Sequence, residues 1–97
     1  MDGKLDKVRI DRWLWWARFF KTRSLAAKKI SNGAVRVNSY CVLKPSARIT
    51  VDDVLTLKQG KTVQVIRVLS LGQKREKYDK AKKMYEDVED IKLDVII

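Results

Sequence analysis

The segment RWLWWARFFKTRS, positions 12–24, holds all three tryptophans and both phenylalanines of the chain. A small protein has few bulky side chains from which to build a core, so the fold has to be assembled on this stretch. On a helical wheel Ile10, Trp13, Leu14, Ala17 and Phe20 gather on one arc about 120 degrees wide. Trp15 and Phe19 fall on the far side near Arg12, and Trp16 sits between the two faces. The pattern predicts a helix capped by Asp11 and running to about Phe20, apolar over most of its circumference and therefore in contact on two sides.

Thr22 to Ser24 interrupt this period. Ser24 is read as the cap of a second helix through about Asn32, with Gly33 supplying the left-handed stop. Its buried face would be Ala26, Ala27 and Ile30, small enough at the alanines for two helices to approach closely. Val35 and Val37 then alternate with Arg36 and Asn38, and Asn38-Ser39 reads as a two-residue hairpin turn before a strand from Tyr40 to Leu43. Pro45 ends that strand, and Asp52-Asp53 marks a turn. Strands follow at Val54 to Lys58 and Thr62 to Leu69. In the last of these the alternation slips by one residue, which a bulge or burial on both faces would explain. From about Lys74 a helical stripe returns in Tyr78, Ala81, Tyr85 and Val88. The closing IKLDVII alternates as either an edge strand or a partner-binding tail would.

With 97 residues there is room for one domain. The pattern divides it into a body at 9–70, a helix at 73–88 packed on that body, and a tail at 89–97. The net charge of +10 is large for this size. It is also uneven: residues 1–48 carry 12 Lys/Arg against 3 Asp, and residues 49–97 carry 10 against 9 acids. A positive field focused on one half favours a polyanion. An interfacial helix should set a broad basic face against its aromatics, yet Trp15 and Phe19 share their side with Arg12, so no membrane partner is expected. No stretch of about 20 apolar residues occurs, and the charged start lacks the form of a secretory signal, which points to the cytoplasm.

Histidine is absent and Cys41 is the single cysteine. That removes Cys/His metal clusters, Ser-His and Cys-His pairs and disulfides. The acids come in solvated pairs such as Asp52-Asp53 and Glu86-Asp87, and the glycines are scattered singly, so there is no phosphate-cradling loop. No catalytic residue, metal ligand or cofactor site is expected, and the chain reads as a non-enzyme.

The basic residues cluster at the helix-helix link (Lys21, Arg23), near the ends of the first helix (Arg9, Arg12, Arg18), on the second helix (Lys28, Lys29) and on the hairpin (Arg36, Lys44). Phosphates would be held by these side chains, by the hydroxyls of Thr22 and Ser24, and by the amides opening the second helix. Trp16 is the aromatic best placed to stack on a base. No base-reading recognition helix stands out, so any DNA affinity would be a side effect of phosphate attraction.

The run RIDRWLWWARFFKTRSLAAKKISNGAVRVN followed by LKPSARITVDDVLTL, roughly residues 9–57, resembles the RNA-binding domain family named after small-subunit ribosomal protein S-four. WLW.ARFFKTRSLA, KPS and QKREKYDKAKKMYED together are similar, more narrowly, to the stand-alone bacterial heat-shock family of fifteen kilodaltons. The resemblance implies an α+β alpha-L fold, in which two N-terminal helices pack on a small twisted, mostly antiparallel sheet, here with a C-terminal helix added. It implies RNA contacts at Lys21, Thr22, Arg23, Ser24 and Lys28, with Arg9 and Arg12 before them and Arg36, Asn38 and Lys44 on the hairpin. Ala27 stands where many members place a basic residue, and Ser39 and Asp52 where glycine is usual. The implied partner is structured ribosomal RNA on a large ribosomal subunit that still holds a nascent chain on its tRNA, in ribosome rescue or recycling. The protein is expected to act as a monomer. The alternative is an RNA-targeting module working beside a separate RNA-modifying or tRNA enzyme.

Overall fold

Ile10, Trp13, Leu14, Ala17 and Phe20 are all buried in the computed structural model, which describes residues 6–88. The first three lie on α1 (Ile10–Trp16), and the arc packs with Ala26 and Ile30 of α2 (Arg23–Ser31) in one core. Ala27 is only half-buried, so the close approach of the helices rests on Ala26.

Before α1 runs the short strand β1 (Val8–Arg9), and after α2 come β2 (Val35–Val37), β3 (Tyr40–Cys41), β4 (Arg48–Ile49), β5 (Val54–Gln59) and β6 (Thr62–Val68). A brief helix α3 (Tyr78–Ala81) continues as a 3-10 turn over Lys82–Met84 into β7 (Tyr85–Asp87). The strands form an antiparallel five-stranded sheet in the order β3-β2-β5-β6-β7 and a separate antiparallel pair, β1 with β4. One face of the larger sheet gives the core Val35, Leu55, Leu57, Ile66 and Val68. The architecture is α+β, with helices packed on an antiparallel sheet, as the family resemblance implies.

Several boundaries differ, each for a physical reason. α1 stops at Trp16 rather than Phe20. The Phe19 amide donates to the Leu14 carbonyl (2.9 Å) and the Arg18 amide to that of Trp15 (3.1 Å), while Arg18 takes φ 68. These bonds make a Schellman ending with arginine in the place glycine usually fills, so no glycine announced it. Asp11 does not cap α1. The Ile10 and Asp11 amides donate to the carbonyls of Ala47 and Pro45, so the 44–47 loop satisfies the helix start and the carboxylate turns inward. Thr22, not Ser24, caps α2, its Oγ1 accepting the Leu25 amide at 3.0 Å.

The hairpin strand ends at Cys41 instead of Leu43. Asn38 alone of the two turn residues takes a positive φ, 58, and Asp52 takes 79. β6 pairs with β5 without interruption from Thr62 to Arg67, so there is no bulge. The slip arises because Ile66 and Val68 face the core while Val63 and Val65 are half-buried on the other side.

The expected helix at 73–88 is confined to Tyr78–Ala81 and its 3-10 extension. Tyr85–Asp87 pairs with β6 as a strand, and the tyrosine ring packs on Phe19 with centroids 4.5 Å apart. Tyr78 is exposed. The edge-strand or tail reading of 91–97 lies outside the described residues.

Candidate nucleic-acid interface

Asp11 is the only buried charged residue among those described. A lone carboxylate there would be costly, and two arginines meet it. Arg9 donates from Nε to Oδ1 (3.1 Å) and from Nη2 to Oδ2 (3.0 Å), and Arg23 donates from Nε to the same Oδ2 (3.3 Å). Both arginines remain over a third exposed, so their outer N–H groups reach solvent. The cluster joins the start of α1 to the start of α2.

Further cations border it. Lys44 is exposed in the loop whose Pro45 carbonyl accepts the Asp11 amide. Arg48 stands directly across from Arg9 in the β1–β4 pair and is exposed. In the link, Lys21 is exposed; on α2, Ser24 and Lys28 are exposed and share a face, being four residues apart. The Arg23 and Ser24 amides have no acceptor among the described residues, whereas Leu25 and Ala26 donate to the Thr22 hydroxyl and carbonyl. Thr22 therefore holds the helix start in shape and keeps its hydroxyl proton for an outside acceptor. Arg12, also on α1, lies over the Trp16 ring with its guanidinium carbon 5.9 Å from the centroid.

Three predicted residues are placed elsewhere. Arg18 sits past the far end of α1 and donates from Nε to the Glu76 carbonyl at 2.6 Å. Arg36 alternates with the core-facing Val35 and lies on the sheet face turned away from the helices, in line with Thr56 and Val65. Asn38 uses its amide on the protein: Oδ1 accepts from the Val54 amide (3.1 Å) and Nδ2 donates to Asp53 Oδ1 (3.3 Å), tying the hairpin to the turn before β5. Trp16 is half-buried against the core, with Gly72 beside its ring and Arg12 over it, and offers no free platform.

Sequence reasoning missed Arg48 and the inward role of Asp11. The first depends on a two-residue strand pairing across nearly forty positions, which no local period announces. The second was hidden because an acid at a helix start looks like a cap.

Among the described residues no group of three or more His, Cys, Asp or Glu could hold a metal ion, and no helix is long and apolar enough to cross a membrane. The surface offers charge, hydroxyls and helix amides, which suit backbone phosphates.

The S4 domain model matches residues 8–55, the stretch containing this cluster. The chain is 37% identical over 83 residues to the heat shock protein 15 homolog of Haemophilus influenzae, covering 86% of this chain and 63% of that protein. It is 38% identical over 81 residues to heat shock protein 15 of Escherichia coli strain K12, covering 84% and 60%. The chain thus spans less than two thirds of the length of these curated relatives. A trimeric structure of Vibrio cholerae heat shock protein 15 superposes with a TM-score of 0.81 at 34% identity, covering 87% of this chain and 84% of that one.

Proposed function

The chain belongs to the heat shock protein 15 family, with an S4 domain at residues 8–55, and we propose that it is a non-enzymatic RNA-binding protein of structured ribosomal RNA. The carrying observation is the Arg9–Asp11–Arg23 cluster, bordered by Lys44, Arg48 and the basic start of α2. Such a surface reads shape and backbone charge rather than base edges, which suits folded RNA. Lys21, Thr22, Ser24 and Lys28 extend it along α2, and Arg12 along α1. Arg18, Arg36 and Asn38 lie apart from it.

The finer reading is a place on the large ribosomal subunit carrying a stalled nascent chain on its tRNA, in rescue or recycling, and hence in the cytoplasm. Family membership and the basic cluster support it. Filter binding of the purified chain to large subunits and to their RNA tests it. Saturable binding is expected, with log K falling steeply against log salt as several phosphates release their counterions. No binding, or binding indifferent to salt, refutes the RNA reading. Capture of an RNA-modifying or tRNA enzyme in place of subunits replaces the rescue role with that of a targeting module.

Charge reversal separates the interface from bulk charge. Arg23→Glu or Lys21→Glu should weaken binding by at least ten-fold, and Lys80→Glu on α3 by much less. Equal losses at all three would place the contact elsewhere.

A further inference from the structure

Charge counting alone makes Asp11 a liability in a protein that binds a polyanion. Its placement argues the opposite. The carboxylate is 2% exposed and ties together two arginines from different elements, Arg9 ahead of α1 and Arg23 opening α2. Oδ2 is shared between them, at 3.0 Å from Arg9 Nη2 and 3.3 Å from Arg23 Nε, so the guanidinium groups cannot stand far apart. Two such cations left free would repel and swing on long side chains.

Arg9 spends two of its five N–H donors on Asp11, and Arg23 spends one. The remainder are free of it, and both side chains reach solvent. The trio keeps one net positive charge. Planar guanidinium forks suit phosphate oxygens, and a fork already oriented loses little freedom on binding.

We propose that Asp11 is a positioning residue for RNA binding, its buried carboxylate holding Arg9 and Arg23 side by side as one phosphate-binding fork. The proposal rests on the RNA-binding reading above. Its ligand is a backbone phosphate of the RNA, and Asp11 touches that phosphate only through the arginines.

Asp11→Asn gives the test, because positioning and net charge predict opposite signs. The variant is more positive, so bulk attraction predicts tighter binding. Loss of the fork predicts binding to large-subunit ribosomal RNA about ten-fold weaker, with the log K against log salt slope smaller by about one, the value of one lost phosphate contact. Circular dichroism confirms the fold of each variant. Arg23→Lys keeps the charge but not the planar fork, and should lose affinity to a similar degree. In the Arg23→Lys background Asp11→Asn should then have almost no further effect, a coupling that a merely structural role would not produce.

Folded Asp11→Asn protein that binds as tightly as wild type, or tighter, overturns the proposal. Should Asp11→Asn not fold, wild-type affinity in Arg23→Lys overturns it instead. Wild-type protein that binds no RNA defeats the functional reading itself, whereas wild type that binds alongside an unimpaired Asp11→Asn defeats only the role of Asp11.

Discussion

Trp13 is fully buried, and its indole Nε1 donates to the Ser70 carbonyl at 2.8 Å. One side chain thereby fills the core and ties α1 to the chain leaving β6. Trp13→Ala should cost about 3–5 kcal/mol in urea denaturation, a large part of the stability of a domain this small. Trp13→Phe keeps most of the volume and should lose about 1–3 kcal/mol for the unpaired carbonyl and smaller ring. Equal losses in both variants would assign the whole effect to the hydrogen bond. Tyr85 gives a pH signature. Burial, then the charge of Asp87 and the neighbouring Tyr78, raise its phenol above the ordinary 10.0. The fold therefore favours the neutral phenol. That stabilisation is complete below about pH 10 and is lost as pH rises through the higher folded value. Tyr85→Phe cannot ionise and should flatten the alkaline limb of the stability curve. An unchanged limb would trace it to other groups.

At the scale of elements, the far end of α1 is held by the segment that follows β6. The Arg75 guanidinium donates to the carbonyls of Trp15 and Phe20 and lies over the Trp15 ring, while Arg18 reaches the Glu76 carbonyl. Desolvation, and then the charge of Arg18, lower the Arg75 pKa. The last carbonyls of a helix, each with a second lone pair and at the negative end of the helix dipole, attract such cations. Arg75→Ala should lower stability by about 1–2 kcal/mol in thermal or urea unfolding and change RNA affinity by less than two-fold, since it acts at the opposite end of α1 from the Arg9–Arg23 cluster. A large affinity loss with unchanged stability would move Arg75 into the interface. The residues of α1 and α2 were legible because their apolar periods coincide with burial, Trp13 and Ile30 being clear cases. Their ends were not. A Schellman turn built on arginine, and a helix start satisfied by the carbonyls of Pro45 and Ala47, rest on backbone partners that side-chain patterns do not encode.

At the scale of the whole molecule, the exposed large apolar side chains among the described residues, Leu25, Tyr40, Leu43, Val51, Leu69 and Tyr78, are spread over helix, hairpin, turns and α3. Scattered residues of this kind do not build a self-association surface. We therefore expect a monomer of 11.3 kDa in sedimentation, in contrast to the trimeric Vibrio cholerae structure. A species of three times that mass would extend the relative's assembly to this chain. The basic half of the chain and the aromatic helix were plain from residue type and spacing, which electrostatics and burial convert directly into structure. The α+β class and the family were implied instead by the resemblance of its motifs to a known family. The candidate interface was legible only in part: Lys21, Arg23 and Lys28 stood out as cations, whereas the structure sets Arg36 on the sheet face away from the helix cluster and places Arg48, which the sequence did not single out, across from Arg9. Tertiary structure alone decided which charges meet. A carboxylate at position 11 can cap a helix or bind two arginines, and the choice fell to the 44–47 loop, which had already supplied the helix with its acceptors.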